Sequence, residues 1–272
     1  MAKTLQSAIM LPEPVSIVVP TYKEAENIPP LVRRVFAAMG RAGIPAEMVI
    51  VDDDSGDGTE AAVQALAAEF PVRLITRQGE RGLSSAVVRG FHEARHDILL
   101  CMDADLSHPP ESLPEVISPI AENRAEFCIG SRYVAGGRTK ENWSLLRKLN
   151  SLGATWLARP LTSTTDPMAG FFCLRREVLN RAERAGLSPI GYKIGLETLV
   201  KARCRTIAEV PIEFSDRLHG KSKLTFQQQL LYLRHLVRLY RFCWPTATRL
   251  TALLIGMIAI AILVLLLLQL SR

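Results

Sequence analysis

The first half of the chain alternates between short apolar runs and longer segments whose apolar residues are spaced as on a helix. The apolar runs predict strands at 15–20, 48–53, 72–76, 97–103 and 126–131. The segments between them predict helices at 25–41, 59–69, 82–95 and 111–124. Continuous apolar strands separated by helices are typical of a mostly parallel sheet covered on both faces. We therefore predict an α/β domain that binds its ligands at the carboxyl ends of the strands.

The pattern is less regular at 132–216, which we assign to the remainder of the same domain and to the acceptor side of its cleft. At 226–242 it becomes helical, with apolar residues alternately four and three positions apart. Arg234, Arg238 and Arg241 lie beside that apolar face. A basic amphipathic helix of this kind favours a lipid surface, and packing against the domain is the alternative.

The last part of the sequence predicts a membrane anchor. Residues 250–270 carry no charge, and a helix of this length would span about 31 Å, close to the roughly 30 Å of a bilayer core. Basic residues crowd its N-terminal side, which places the preceding domain in the cytosol, and the N-terminus has no secretory signal pattern. We predict a catalytic domain at 1–225, an interfacial amphipathic helix at 226–248 and a single-pass transmembrane anchor at 249–272.

Charge and cysteine content narrow the functional classes. The net charge is +6, but the positive excess comes from the C-terminal tail, because no acidic residue follows Asp216. This argues against a general nucleic-acid-binding surface and indicates a local anionic partner. The 5 cysteines have no metal-binding spacing, so we expect reduced thiols, as in the cytosol. Arginine far outnumbers lysine, which favours a bacterial inner membrane over the endoplasmic reticulum.

Carboxylates follow two of the predicted strands. Asp103 and Asp105 come after an apolar run, and residues i and i+2 of an extended segment project to the same side. Two hard oxygen donors without nearby His or Cys suit Mg²⁺ or Mn²⁺, and the alternative is that both acids only shape a turn. The acids at 52–54 follow another strand, where at least one would accept hydrogen bonds from a nucleotide. No dinucleotide fingerprint or P-loop occurs.

Seven motifs occur in an order that resembles the polyprenol-phosphate mannose synthases, or dolichyl-phosphate mannosyltransferases, of the family 2 glycosyltransferases. They are VVPTYKEAENI, VDDDSGDGT, MDADLSHPPE, IGSRYVAGG, DPMAGFF, GYKIGLE and HGKSKL, and they lie within 14–225. The resemblance implies a GT-A-type nucleotide-sugar-binding fold. It implies mannose transfer from GDP-mannose to a polyprenyl phosphate, either dolichyl or undecaprenyl, with inversion at the anomeric carbon. The resemblance also implies the membrane lipid as a partner, and it allows a homo-oligomer.

The resemblance also implies roles for residues that match the family's motifs on the donor side. The guanosine part of the donor would be held by Pro20, Tyr22, Glu24, Val51 and Asp53. The metal ion and the donor diphosphate would be held by Asp103, the backbone of Ala104, and Asp105. Ser107 stands where relatives can have a Gln ligand, so a third side-chain ligand is not expected.

Other matching residues would act on the phosphates. Arg217 and Lys223 belong to the stretch at 216–224, which has several cations around a glycine and would close over the donor diphosphate. Arg132, Arg147 and Ser151 would hold the acceptor phosphate. The catalytic set is then Asp105, Arg132, Arg217 and Lys223.

Two alternatives remain open at this point. One is a transferase for glucose or another sugar to undecaprenyl phosphate, although those relatives generally have two membrane helices. The other is an inactive, membrane-tethered scaffold with the same fold, which would not need the intact carboxylates and cations.

Overall fold

The computed structural model describes residues 12–139, 145–215 and 226–248, with side chains described from residue 152 in the second range and from residue 228 in the third. The strands in these ranges are β1 (Val15–Thr21), β2 (Ala46–Asp52), β3 (Val72–Thr76), β4 (Ile98–Cys101), β5 (Phe127–Ser131), β6 (Arg138–Thr139), β7 (Phe172–Arg175), β8 (Ile207–Pro211) and β9 (Glu213–Phe214). The α-helices are α1 (Ile28–Ala42), α2 (Thr59–Ala67), α3 (Leu83–Glu93), α4 (Leu113–Ala121), α5 (Leu145–Ala158), α6 (Arg176–Arg184), α7 (Ile194–Lys201) and α8 (Phe226–Cys243).

The main sheet has seven strands in the order β3-β2-β1-β4-β7-β5-β8. All neighbours run parallel except β7, which lies antiparallel between β4 and β5. The short strands β6 and β9 form a separate parallel pair. The sheet is therefore mostly parallel, as the sequence predicts.

Helices cover both faces of this sheet because successive side chains of a strand point to opposite sides. Ile17 and Val19 of β1 pack in one apolar cluster with α1, α2 and α4. Val18, between them, packs in the other cluster with α3, α6, α7 and α8. Each central strand is thus buried on both sides, which explains why the strands are continuously apolar in the sequence.

The five strands β1 to β5 are confirmed to within two residues at their ends, and all four predicted helices of the first half are present. The fourth strand is shorter than predicted and stops at Cys101. The strand β7 was not predicted from the sequence. It is only 4 residues long, and its pairing partners β4 and β5 are far away along the chain.

The helix α8 packs on the domain, but not through the apolar face that the sequence predicted. Its buried side chains are Tyr232, His235, Leu236 and Leu239. The predicted face is exposed in large part, since Leu230, Leu233 and Val237 are about half open to solvent, whereas Tyr240, its last member, is partly buried against the domain. The helix therefore has two apolar faces, of which one packs on the domain and the other is exposed to solvent.

No helix among the described residues is long and apolar enough to cross a membrane. The predicted anchor at 249–272 lies outside the described residues.

Candidate active site

The segments that follow β1, β2 and β4 meet at one edge of the sheet. Hydrogen bonds continue the strand ladder beyond the strands themselves, from Asp53 N to Thr21 O (3.1 Å) and from Met102 N to Val18 O (3.2 Å). These bonds hold the three segments side by side at the carboxyl ends of parallel strands, where such sheets bind ligands. We call these three segments, together with the loop that follows β3, the donor side, because they carry the residues predicted to bind the donor.

The two carboxylates after β4 lie in a turn rather than in an extended segment. Asp105 is buried, and its Oδ1 accepts hydrogen bonds from the amide (3.1 Å) and the hydroxyl (2.6 Å) of Ser107. Leu106, between Asp105 and Ser107, has a φ of 62°, which turns the chain sharply. The expectation that the two acids alternate along an extended strand is therefore wrong. The side chain of Asp103 remains about one-third exposed, 33%.

The donor atoms at this turn fit a hard divalent cation that takes only two protein carboxylates. Within the described ranges, no three His, Cys, Asp or Glu side chains are grouped so as to hold a metal ion. Mg²⁺ and similar ions commonly bind through one or two carboxylates and complete their coordination with water and substrate phosphates. Asp103 and Asp105 are the described residues that suit this arrangement.

Asp53 is tied to a buried arginine that the sequence analysis did not identify. Its Oδ1 accepts a hydrogen bond from Arg77 Nε (2.8 Å), and Arg77 Nη2 contacts the same oxygen. Its Oδ2 accepts from the backbone amide of Gly82 (2.8 Å). Both side chains of the pair are almost fully buried. Asp53 thus fixes the loop that follows β3 against the end of β2.

A cavity of about 310 Å³ opens between these loops. Its lining residues are Asp53, Asp54, Arg77, Gly79, Glu80 and Arg81. The guanidinium of Arg81 lies over the ring of Tyr22, 4.7 Å from its centroid. This combination of carboxylates, arginines and a tyrosine offers both donors and acceptors to a nucleotide base.

The other residues predicted to hold guanosine differ in their surroundings. Glu24 Oε2 accepts a hydrogen bond from Asn27 Nδ2 (2.7 Å) at the start of α1. Pro20 is partly exposed near the end of β1. Val51 is fully buried within β2, so its side chain does not line the cleft.

Arg132, which follows β5, forms a two-pronged ion pair with Asp166. The bonds run from Arg132 Nε to Asp166 Oδ2 and from Arg132 Nη2 to Asp166 Oδ1, both 2.8 Å long. Asp166 is fully buried and was not identified from the sequence. The guanidinium lies between the rings of Tyr133 and Phe214, with centroid distances of 5.2 and 5.3 Å. Its orientation is therefore fixed.

Lys193 is a second cation near Arg132 and Asp166, and the sequence analysis did not identify it. It directly precedes α7, and its Nζ donates a hydrogen bond to Met168 O (2.7 Å). Burial and the nearby Arg132 lower the pKa of Lys193 to about 8, although Asp166 and Asp103 act in the opposite direction. We call Arg132, Asp166 and Lys193 the acceptor side. Both missed residues stand in motifs of the resemblance, DPMAGFF and GYKIGLE, which was the available signal.

Four residues predicted to contact phosphates cannot be placed from their side chains. Arg147 and Ser151 belong to α5, and their side chains lie outside the described part of the chain. Arg217 and Lys223 lie in the undescribed stretch that follows β9. Their roles stay predictions.

Comparison with known proteins identifies the family. The model of glycosyl transferase family 2 matches residues 16–182. A dolichol-phosphate mannosyltransferase of Mycosarcoma maydis is 44% identical over 85% of this chain and 80% of the relative. One from Saccharomyces cerevisiae is 42% identical over 84% of this chain and 87% of the relative. One from Pyrococcus furiosus is 45% identical over 84% of this chain, which spans 64% of that relative's length.

Solved structures share the fold at much lower identity. A mannosyl-3-phosphoglycerate synthase from Rubrobacter xylanophilus has a TM-score of 0.62 at 21% identity, covering 84% of this chain and 74% of the other. A glucosyl-3-phosphoglycerate synthase from Mycobacterium tuberculosis, in complex with Mn²⁺, UDP and its product, has a TM-score of 0.59 at 18% identity, covering 85% and 80%. The predicted GT-A-like α/β fold is confirmed. The chain belongs to glycosyl transferase family 2, and its curated relatives within that family are dolichol-phosphate mannosyltransferases.

Proposed function

We propose that this protein transfers mannose from GDP-mannose to a polyprenyl phosphate, with inversion at the anomeric carbon. The observation that carries the proposal is the closeness of the carboxylate of Asp103 to a group of cations, in a fold that belongs to glycosyl transferase family 2. Asp103 lies just beyond the end of β4, and Lys193 is near enough to Arg132, Asp166 and Asp103 for all three charges to shift its pKa. A nucleotide-sugar diphosphate and an acceptor phosphate both need such cations and a metal-binding carboxylate pair.

The donor nucleotide would occupy the cavity beside Asp53. Guanine has an edge with two N–H donors and another edge with acceptors, so it needs carboxylates on one side and a cation on the other. Asp54, Glu80 and Arg81 line the cavity and supply these groups. Tyr22 would contact the nucleoside from the end of β1.

Asp103 and Asp105 would hold Mg²⁺ or Mn²⁺, which neutralises the charge that develops on the departing GDP. Support comes from the hard oxygen atoms of both residues and from the Mn²⁺ bound by the structurally similar glucosyl-3-phosphoglycerate synthase. Ser107 keeps the carboxylate of Asp105 in one orientation through its two hydrogen bonds. A carboxylate that is already oriented loses little further freedom when it binds.

The acceptor phosphate would lie against Arg132 and Lys193, with Arg147 and Ser151 of α5 also in contact. A phosphate monoester has a second pKa near ~6, so it is largely a dianion at neutral pH and needs no general base. It needs orientation for attack on the anomeric carbon from the face opposite to GDP. Asp166 supplies part of this by fixing the guanidinium plane of Arg132.

The segment at 216–224 would close over the donor once it is bound. Arg217 and Lys223 would then place positive charge beside the leaving diphosphate and exclude water from it. This step rests on the sequence, since both residues lie outside the described ranges.

The protein would work at a membrane surface because its acceptor is a lipid. Exposed apolar side chains of α5 and α8 form a surface that we call the apolar strip: Leu152, Trp156, Leu230, Leu233 and Val237. Tyr232 links the two helices by donating a hydrogen bond to Ala154 O (2.7 Å). The exposed Arg234, Arg238 and Arg241 flank the strip, which suits anionic lipid headgroups. The predicted anchor and a cytosolic catalytic domain, in a bacterial inner membrane, complete this proposal.

The test is transfer of label from GDP-mannose to lipid by the full-length, detergent-solubilised protein. Undecaprenyl or dolichyl phosphate serves as acceptor with Mg²⁺ or Mn²⁺, and the product is measured after extraction into organic solvent. We expect Asp105→Asn to reduce transfer at least ~100-fold, because it removes negative charge from the metal site. Glu115→Gln changes an exposed carboxylate on α4 and serves as the matched control.

Other donors separate the alternatives. Labelling from UDP-glucose but not from GDP-mannose would identify a glucosyl transferase instead. Binding of GDP-mannose and acceptor without any transfer, at all metal concentrations, would support the inactive scaffold. Loss of activity in Glu115→Gln as well would show that the Asp105 result is not specific.

A further inference from the structure

His108 lies behind the first carboxylate of the donor side, and nothing in the proposed function uses it. It is 3% exposed, although it is a polar residue in a loop that follows β4. A buried imidazole needs partners for its ring nitrogens, and these partners determine which nitrogen carries the proton. The contacts of His108 therefore indicate what the residue does.

One edge of the imidazole ring faces Asp103. The Nδ1 atom accepts a hydrogen bond from the backbone amide of Asp103 (3.0 Å). An accepting Nδ1 carries no proton, so the proton of the neutral ring is on Nε2. The Nε2 atom lies 3.8 Å from Asp103 Oδ2, on the same side as the carboxylate. His108 thus holds the main chain of Asp103 directly, whereas its Nε2 lies near the carboxylate but outside hydrogen-bond distance.

The faces of the ring are held by two phenylalanines. His108 stacks on Phe171, with 5.2 Å between centroids and 19° between planes. It meets Phe214 edge to face at 5.6 Å and 66°. Gly170 lies beside both residues, because a Cβ there would be in ordinary van der Waals contact with Asp103 Oδ1 (3.4 Å) and His108 Cε1 (3.5 Å). The imidazole cannot rotate without moving several packed groups.

Phe214 connects this histidine to the acceptor side. Its ring also lies against the guanidinium of Arg132, 5.3 Å from its centroid. Phe214 ends β9, directly before the segment predicted to close over the donor, and Ser215 N donates to Ser107 O (3.1 Å). A continuous set of contacts therefore runs from Asp103 through His108 and Phe214 to Arg132.

We propose that His108 is a positioning residue that fixes Asp103 for metal and donor diphosphate through the hydrogen bond accepted at Nδ1. The proposal rests on the proposed function, since it assumes that Asp103 binds the metal ion. Groups that orient a metal-binding side chain typically change metal affinity or activity by ~10–100-fold when they are removed. We expect loss of the Nδ1 acceptor to weaken Mn²⁺ binding within that range.

Two substitutions separate the hydrogen bond from the ring packing. His108→Asn keeps an acceptor at the position of Nδ1 but loses the stacking on Phe171 and Phe214. His108→Phe keeps an aromatic ring but has no acceptor for the Asp103 amide. Binding of Mn²⁺ in the presence of GDP is measured for the full-length protein by electron paramagnetic resonance, together with the thermal unfolding midpoint. His92→Asn changes an exposed histidine outside the cleft and serves as control.

The order of the two variants decides the outcome. A positioning role requires His108→Phe to bind Mn²⁺ ~10–100-fold more weakly, and His108→Asn to stay within about threefold of the wild type. The reverse order, with His108→Asn weaker and less stable, would show that His108 only packs the loop and would overturn the proposal. Equal binding by all variants would overturn it as well. Failure of the wild type itself to bind Mn²⁺ with GDP would overturn the metal site of the proposed function and the role of His108 with it.

Discussion

The donor and acceptor sides of the cleft each contain a buried arginine–aspartate pair, but the two pairs are assembled differently. On the donor side Asp53 and Arg77 follow adjacent strands, β2 and β3, and the pair closes on the amide of Gly82. On the acceptor side Arg132 follows β5, whereas Asp166 comes from the segment before β7. Lys193 adds a second cation from a third segment. The donor-side pair joins the ends of two neighbouring parallel strands, whereas the acceptor side joins segments that are not consecutive strands of the sheet.

Replacing the carboxylate of each pair tests whether the two sides serve different substrates. Removal of one partner from a buried ion pair costs about 3–5 kcal/mol because it leaves an uncompensated charge. We expect Asp53→Asn and Asp166→Asn each to lower the free energy of unfolding by about that amount. We also expect Asp53→Asn to raise the KM for GDP-mannose and Asp166→Asn to raise the KM for polyprenyl phosphate.

The measurements for these two variants are denaturant unfolding and steady-state kinetics in which one substrate is varied at a time. If both variants raise the KM for the same substrate, the two sides do not bind different substrates. Glu115→Gln again controls for removal of a carboxylate as such, since this residue is exposed on α4 and belongs to neither pair.

The pH dependence of stability tests the burial of Lys193 beside Arg132 on the acceptor side. The pKa of Lys193 is lowered from 10.5 to about 8 in the folded protein, so between these values the unfolded chain binds more protons than the folded one. Stability contributed by this group therefore rises with pH across that window. Between pH 7 and pH 10 we expect the wild type to gain about 2 kcal/mol relative to Lys193→Met, in metal-free buffer.

Denaturant unfolding of both proteins at the two pH values measures this gain. Other groups that titrate in this range are the same in both proteins, so they cancel in the difference. An unchanged difference between pH 7 and pH 10 would show that Lys193 is not held in a site that disfavours its charge.

The smallest expected effect concerns the apolar strip, which lies beside neither ion pair. Trp156 is 74% exposed, so its replacement should leave the fold intact. We expect Trp156→Glu to raise the KM for undecaprenyl phosphate in bilayer nanodiscs several-fold, because a charge replaces an apolar contact with lipid. The KM for a short, water-soluble polyprenyl phosphate should not change. An equal rise for both acceptors would place Trp156 in the cleft instead of at the membrane.

The donor side could largely be predicted from the sequence because its residues follow strands that are visible as apolar runs. Asp53, Asp103 and Asp105 are all found at the predicted edge. Arg77 could not be predicted, since a single arginine after a strand carries no sign of its burial. Asp166 and Lys193 stand in motifs of the resemblance, but their approach to Arg132 was not predicted, because it depends on β7, which lies between them along the chain and between β4 and β5 in the sheet.

The two apolar faces of α8 show that the spacing of apolar residues does not by itself identify the buried face of a helix. The spacing of Leu230, Leu233 and Val237 predicts one apolar helix face and gives no sign of the second one. Tyr232 and His235 belong to the face that is buried, and both are polar residues with apolar bodies. Which of two such faces packs on the domain is decided by the surface available there.

The direction of β7 has a consequence for how such a protein can change its acceptor. The strand β5 ends, and the antiparallel strand β7 begins, at the same edge of the sheet, so residues 132–171 leave the sheet and return to it at that edge. The exposed part of this excursion can thus differ in length or composition without shifting a strand, whereas Ala158 and Phe171 within it belong to the core. The excursion includes Arg132 and Asp166 but neither of the carboxylates proposed to bind the metal ion. Exchange of its exposed part between relatives would therefore be a route to new acceptors on a largely unchanged donor site.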